Sequence, residues 1–166
     1  MEIGSFEGRS TVWLVENALE DGGEIICVDT WEGGEEHTLA LAKNAHKLFK
    51  WNTSILAKKH PKKIINQVIS TSTDALSKLQ NKNNQGRFDF IYIDGSHVAK
   101  DVLTDACLAW PLLRRGGALV FDDYGWAIDL PETHKPKMAV NAFIRVFKEE
   151  LAVIHKGYQV VVQKMR

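Results

Sequence analysis

The sequence carries no surplus of charge: 21 Lys plus Arg stand against 21 Asp plus Glu, a formal net charge of zero. It therefore lacks the general attraction that a nucleic acid or an anionic lipid surface exploits, and neither partner is expected. It has only two cysteines, Cys27 and Cys107. Each lies in an apolar stretch with no CxxC or Cys/His ligand spacing nearby, and both read as buried free thiols. No apolar run approaches the roughly 18 residues of a membrane span, and the first residues have neither a basic n-region nor an apolar signal core. A cytoplasmic location is expected. Repeats and low-complexity segments are also lacking. The densest basic run, Lys58-Lys59-His60-Pro61-Lys62-Lys63, reads as a solvated loop leading into a strand.

What is present is an ordinary globular balance, 45% hydrophobic and 25% charged over 166 residues. That length supports one hydrophobic core, and a single domain spanning 1–166 is expected. Strand and helix patterns alternate, as in a parallel sheet with crossover helices on both faces. The strands read as Met1–Gly4 (the last residues of one), Glu24–Asp29, Ile64–Ile69, Phe88–Asp94 and Ala118–Asp123. Between them, helices are expected at Ser10–Leu19, at Glu35–Phe49 with a further stretch at Asn52–Lys59, around Asp74–Leu79, at Lys100–Leu113 and at Pro136–Glu150. Arg115-Gly116-Gly117 reads as a turn. The ending differs, because Leu151–His155 and Tyr158–Gln163 are separated only by Lys156-Gly157, which makes an antiparallel hairpin and no crossover.

Three stretches carry chemistry. In Glu2-Ile3-Gly4-Ser5-Phe6-Glu7-Gly8-Arg9-Ser10 two glycines sit four apart between a strand end and a helix start. Gly4 suits a tight turn, Gly8 a close backbone approach, and the helix N–H groups an anionic ligand group. Some twenty residues on, Asp29 ends the second strand, where an acid either accepts ribose hydroxyls or caps the following turn. Finally, Asp94-Gly95-Ser96-His97 and Asp122-Asp123 follow neighbouring strands, which would gather three carboxylates at the carboxyl edge of the sheet. They either hold a divalent ion such as Mg²⁺ or bond loop backbone, and without a cation at least one should have a raised pKa. His97 reads as a general base or a cofactor contact. His37, His46, His60, His134 and His155 share no ligand spacing. Trp13, Trp110 and Trp126 read as packing residues, and Trp31 as a cover for an adenine ring.

EIGSFEGRST, VDTW, FDFIYIDGSH and LLRRGGALVFDDY together resemble the successive motifs of class I S-adenosylmethionine-dependent methyltransferases, in the small subfamily related to the metal-dependent O-methyltransferases (methyltransferase domain 24-like). The resemblance runs to the GYQVVVQK strand at the end. It implies a Rossmann-like α/β three-layer sandwich on a mostly parallel seven-stranded sheet of order 3-2-1-4-5-7-6, the seventh strand antiparallel. It also implies that Gly4, Ser5, Gly8 and Ser10 surround the methionine moiety of S-adenosylmethionine, with Glu2 counted among the cofactor-binding residues. Asp29 would take the ribose and Trp31, Ser72 and Thr73 the adenine. Asp94, Asp122 and Asp123 would hold Mg²⁺, with Asp94 and His97 both catalytic and against the cofactor. Measured against that family, the chain begins within the first, central strand, and the N-terminal helices that cover the substrate in relatives are expected to be missing.

The expected activity is methyl transfer to a hydroxyl of a small-molecule acceptor, with Mg²⁺ lowering the hydroxyl pKa or, without a metal, His97 or a carboxylate serving as base; a homodimer is left open. A nicotinamide-dependent oxidoreductase is the rival enzyme, disfavoured because GSFEGRS is not G-x-G-x-x-G and because of the terminal hairpin. A nucleoside-binding or dimerising module without turnover is the non-enzymatic rival.

Overall fold

The structure is a computed structural model that describes residues 1–33, 38–126 and 129–166. Its seven strands follow the order 3-2-1-4-5-7-6, parallel except where the last two return antiparallel. The chain divides into two compact units, residues 1–71 and 72–166.

In the first unit β1 (Glu2–Ile3) and β3 (Ile64–Ile69) flank β2 (Glu24–Asp29), both parallel to it. Ile25, Ile26, Cys27 and Val28 are all buried, as a strand covered on both faces requires. β3 is the edge, with Ile64 and Ile69 exposed. α1 (Arg9–Asn17) buries Thr11, Leu14 and Val15. α2 (Leu39–Lys59) runs unbroken for 21 residues, where the sequence suggested two pieces. The weak helix formers at its centre are accommodated by side-chain bonds. Thr53 Oγ1 donates to the Phe49 carbonyl one turn earlier at 2.8 Å, sharing that ladder acceptor, and Asn52 Nδ2 donates out of the helix to the Glu7 carbonyl at 2.9 Å. Ala42, Ala45, Phe49 and Leu56 form its buried face. The expected helical residues Glu35, Glu36 and His37 lie outside the described residues.

The second unit contains α3 (Ser72–Leu79), β4 (Phe88–Ile93), α4 (Ala99–Ala109), β5 (Leu113–Phe121), α5 (Pro136–Val146), β6 (Leu151–Lys156) and β7 (Val160–Lys164). β4 and β5 pair in parallel, and β7 lies antiparallel between β5 and β6. The expected turn at Arg115-Gly116-Gly117 is instead a bulge inside β5. The register jumps from Phe88↔Leu113 to Phe90↔Ala118, and Gly116 takes the left-handed φ of 77° that lets the strand re-enter the ladder. Phe143 is fully buried among Trp110, Phe121 and Phe147, with ring centroids 4.5–5.5 Å away. Lys164 Nζ donates to the carbonyls of Trp110 (2.8 Å) and Leu113 (2.9 Å), capping the chain where α4 gives way to β5.

Two packing expectations fail. Cys27 is buried, its thiol pushed up to about 12 by burial, but Cys107 lies on the exposed side of α4. Trp13 is 62% exposed because α1 turns Leu14 and Val15 inward. No helix among the described residues is long and apolar enough to cross a membrane.

Asp105 on α4 is 1% exposed; it accepts a hydrogen bond from Ser72, and its Oδ1 has no partner. Burial raises its pKa from 3.8 to about 6, Asp101 adding to the effect. The folded state therefore holds this proton more tightly than the unfolded chain. The contribution of Asp105 to stability is fully present below about pH 4 and is lost as pH rises to about 6, by about 3 kcal/mol at 1.4 kcal/mol per unit. Asp105→Asn, which keeps the acceptor for Ser72, should flatten thermal stability between pH 4 and 7 and raise it at pH 7.5. An unchanged slope in melting curves would assign the pH dependence elsewhere.

Candidate functional site

In the first unit the glycine loop between β1 and α1 is tied to the end of β2 through Asp29. Its Oδ2 accepts from the Phe6 amide at 2.9 Å and its Oδ1 from the Trp31 amide at 2.7 Å. Trp31 Nε1 donates back to the Phe6 carbonyl at 2.7 Å. Phe6 and Trp31 both adopt positive φ, 43° and 50°, strained values that this closed set of bonds sustains. Asp29 thus performs the turn-capping role, and each oxygen keeps a second lone pair for a hydroxyl.

Trp31 is 5% exposed, its ring stacked on His46 at 4.5 Å and tilted against Phe49 at 4.9 Å. Burial, with Lys50 close by, lowers the His46 pKa and favours the neutral ring. Beneath the loop Glu2 is fully buried. Its Oε2 accepts from the Thr11 hydroxyl, while its Oε1 is buried with no partner. Ser5 is buried and Ser10 half-buried.

In the second unit β4 and β5 carry the acidic residues to their carboxyl ends. The ligand atoms of Asp94, His97 and Asp123 lie within 4.8 Å of one another. His97 Nε2 sits 2.7 Å from Asp123 Oδ2, and the ring of Trp126 lies 4.3 Å from the imidazole. Asp122 is placed differently. Its Oδ2 accepts from the Tyr92 hydroxyl, and its Oδ1 accepts from Gln159 Nε2 at 3.0 Å and from the Asp123 amide at 2.8 Å. Of the three expected carboxylates, two therefore come together with a histidine and the third is engaged beside them. The expected raised carboxyl pKa does not appear at Asp123. The His97 hydrogen bond, joined by that of Tyr158, holds Asp123 below the ordinary carboxylate range despite burial. The raised groups are phenols: Tyr92 by burial and by Asp122, and Tyr158, up to about 12, by Asp123. Ser72 and Thr73 form the first turn of α3, the former half-buried and the latter exposed.

Sequence reasoning missed Tyr92, Tyr158, Gln159 and Asp105. A signal existed for two of them. Once β7 is antiparallel to β5 with Phe121↔Val160, the residues just before Val160 must lie beside those just after Phe121, and these are Tyr158-Gln159 and Asp122-Asp123.

The chain matches the family model described as a methyltransferase domain over residues 1–124, and it belongs to that family. No curated protein sequence matches it significantly. Among solved structures, it is similar to the O-methyltransferase TomG of Streptomyces achromogenes, crystallised with S-adenosylmethionine, with 18% identity and a TM-score of 0.72 over 99% of this chain and 72% of that one. An O-methyltransferase from Bacillus cereus, in complex with S-adenosylhomocysteine, aligns with 20% identity and a TM-score of 0.66 over 98% and 72% of the two chains. A Corynebacterium glutamicum protein aligns with 23% identity and a TM-score of 0.59 over 91% of this chain, which spans 65% of that protein's length.

Gly8, at φ 81°, caps α1, and an added Cβ would stand 3.0 Å from the Phe49 ring; Gly22, at φ 84°, has nothing within 4 Å. Gly22→Ala should cost only the left-handed backbone penalty of about 1–2 kcal/mol. Gly8→Ala should cost more, because Phe49 must also move. Equal losses in paired denaturant titrations would show that Phe49 imposes no requirement on Gly8.

Proposed function

We propose that this chain uses S-adenosylmethionine to methylate a hydroxyl oxygen of a small molecule, with His97 as the general base. The observation that carries the reading is the hydrogen bond between His97 and Asp123 beside Asp94, in a chain of the methyltransferase domain family.

The first unit supports the donor's place. Glu2 Oε1, buried and unpartnered, suits a cationic partner such as the amino group of a methionine moiety, since a buried carboxylate oxygen is costly to leave unsatisfied. The open lone pairs of Asp29 suit ribose hydroxyls. When bound, S-adenosylmethionine supplies a methyl carbon on a sulfonium, which an acceptor oxygen attacks in line as the carbon–sulfur bond breaks to leave S-adenosylhomocysteine.

Two protein tasks remain, alignment of the oxygen and removal of its proton. Asp123, held ionised by its two donors, orients His97 through Nε2. His97 removes the hydroxyl proton, and Asp123 stabilises the imidazolium that results. Asp94, Asp123 and His97 could hold a divalent ion between them, whereas Asp122, the third expected ligand, is committed to Tyr92 and Gln159. No step is assigned to a metal.

Titration calorimetry should find S-adenosylmethionine and S-adenosylhomocysteine bound in preference to NAD. Asp29→Ala should lose about 1.5–3 kcal/mol of that binding, as for a charged hydrogen-bond partner. Asp122→Asn should leave it largely intact. Tight NAD binding without a response to S-adenosylmethionine would refute the reading.

A further inference from the structure

We propose that the turn of the β6–β7 hairpin is the positioning element for His97, with Tyr158 the residue that sets it. The inference deepens the reading of His97 as base and rests on it.

Three bonds tie this turn to the loop after β5. The Gly125 amide donates to the Tyr158 carbonyl at 2.9 Å, Tyr158 Oη donates to Asp123 Oδ1 at 2.7 Å, and Gln159 Nε2 donates to Asp122 Oδ1 at 3.0 Å. Gln159 also reaches the Tyr92 hydroxyl at 3.1 Å, which itself donates to Asp122. The approach is close enough to require glycine at position 125, because a Cβ there would lie 2.9–3.0 Å from Tyr158. Asp123 needs such support, since its φ of 53° is a left-handed value that a non-glycine residue holds only when its surroundings impose it. The Trp126 amide closes the turn on the Asp123 carbonyl at 3.0 Å.

The consequence follows from the two carboxylate oxygens. With Oδ1 taken by the Tyr158 hydroxyl, Asp123 presents Oδ2 to His97 Nε2 in one orientation. That bond, with Trp126 against the ring, holds the imidazole in one orientation. Without the phenol, the carboxylate can rotate and share its oxygens, and the ring orientation loses definition. Tyr158 is itself 55% exposed, so its hydroxyl matters for what it holds and little for the core. It is a positioning residue acting on His97 through Asp123.

The test is Tyr158→Phe in the full chain, which removes one oxygen and keeps the ring against Gly125. Side-chain ¹⁵N NMR of histidine-labelled protein, the His97 signals assigned with His97→Gln, should show one defined set of ring shifts in the wild type that moves or broadens in the variant. Turnover should fall about 10- to 100-fold, the scale of a lost catalytic alignment. S-Adenosylhomocysteine affinity should stay within about twofold and the melting temperature within a few degrees, as expected of an exposed side chain. His97 signals identical in variant and wild type would overturn the proposal, as would a fall in turnover matched by an equal loss of cofactor affinity. Because the NMR readout needs no turnover, a wild-type protein without methyl transfer would count against the base assignment alone, and the response of His97 to Tyr158→Phe would still decide the positioning claim.

Discussion

One carboxylate organises the chemistry of the second unit. Asp123 follows β5 in a left-handed conformation and receives a hydrogen bond from His97, in the loop after β4, and another from Tyr158, in the turn of the terminal hairpin. Three separate segments are oriented by the two oxygens of one side chain. Partial burial would ordinarily raise such a carboxyl pKa, but the two donors reverse that and keep it ionised. An ionised Asp123 gives His97 a fixed hydrogen-bond partner. Asp29 does comparable work in the first unit, where its two oxygens hold the glycine loop and Trp31 in strained but mutually consistent conformations.

The sequence was most legible where a single periodicity decides the structure. The apolar run of β2 and the β-branched residues of β3 mark strands whose ends match the reading residue for residue, and a two-residue gap near the end was enough to infer an antiparallel return. Legibility failed where side chains override local propensity. Lys50 and Trp51 separated two expected helical stretches, but α2 runs through them, and Asn52 and Thr53 just beyond each find a carbonyl to bond. Gly116-Gly117 looked like a turn and is a bulge, because positive φ serves either purpose and only strand pairing decides which. Cys107 and Trp13 are apolar by type, and their exposure depends on helix rotation that a short periodic segment defines poorly.

At the candidate site, the acids at the ends of β2, β4 and β5 could be named in advance because open α/β sheets present ligands at those edges. Which of them would meet was not readable. Asp122 and Asp123 are neighbours in sequence but point into different networks, one toward Tyr92 and Gln159 and the other toward His97 and Tyr158. The residues that sort them lie more than 25 positions away, in a strand and a hairpin turn that carry no catalytic signature. The terminal hairpin that disfavoured a nicotinamide-dependent enzyme on topology thus also bears on chemistry.

On the function proposed above, a histidine held by a carboxylate performs the proton transfer. The direct measurement is methyl transfer from isotopically labelled S-adenosylmethionine to a panel of catechol and sugar hydroxyl acceptors in excess EDTA, comparing the wild type with His97→Gln. Wild-type turnover should persist in EDTA, and His97→Gln should lose about 10²–10⁴-fold, the usual contribution of a general base, with S-adenosylhomocysteine still bound. Turnover that vanishes in EDTA and returns with Mg²⁺, or that survives His97→Gln, would contradict that reading.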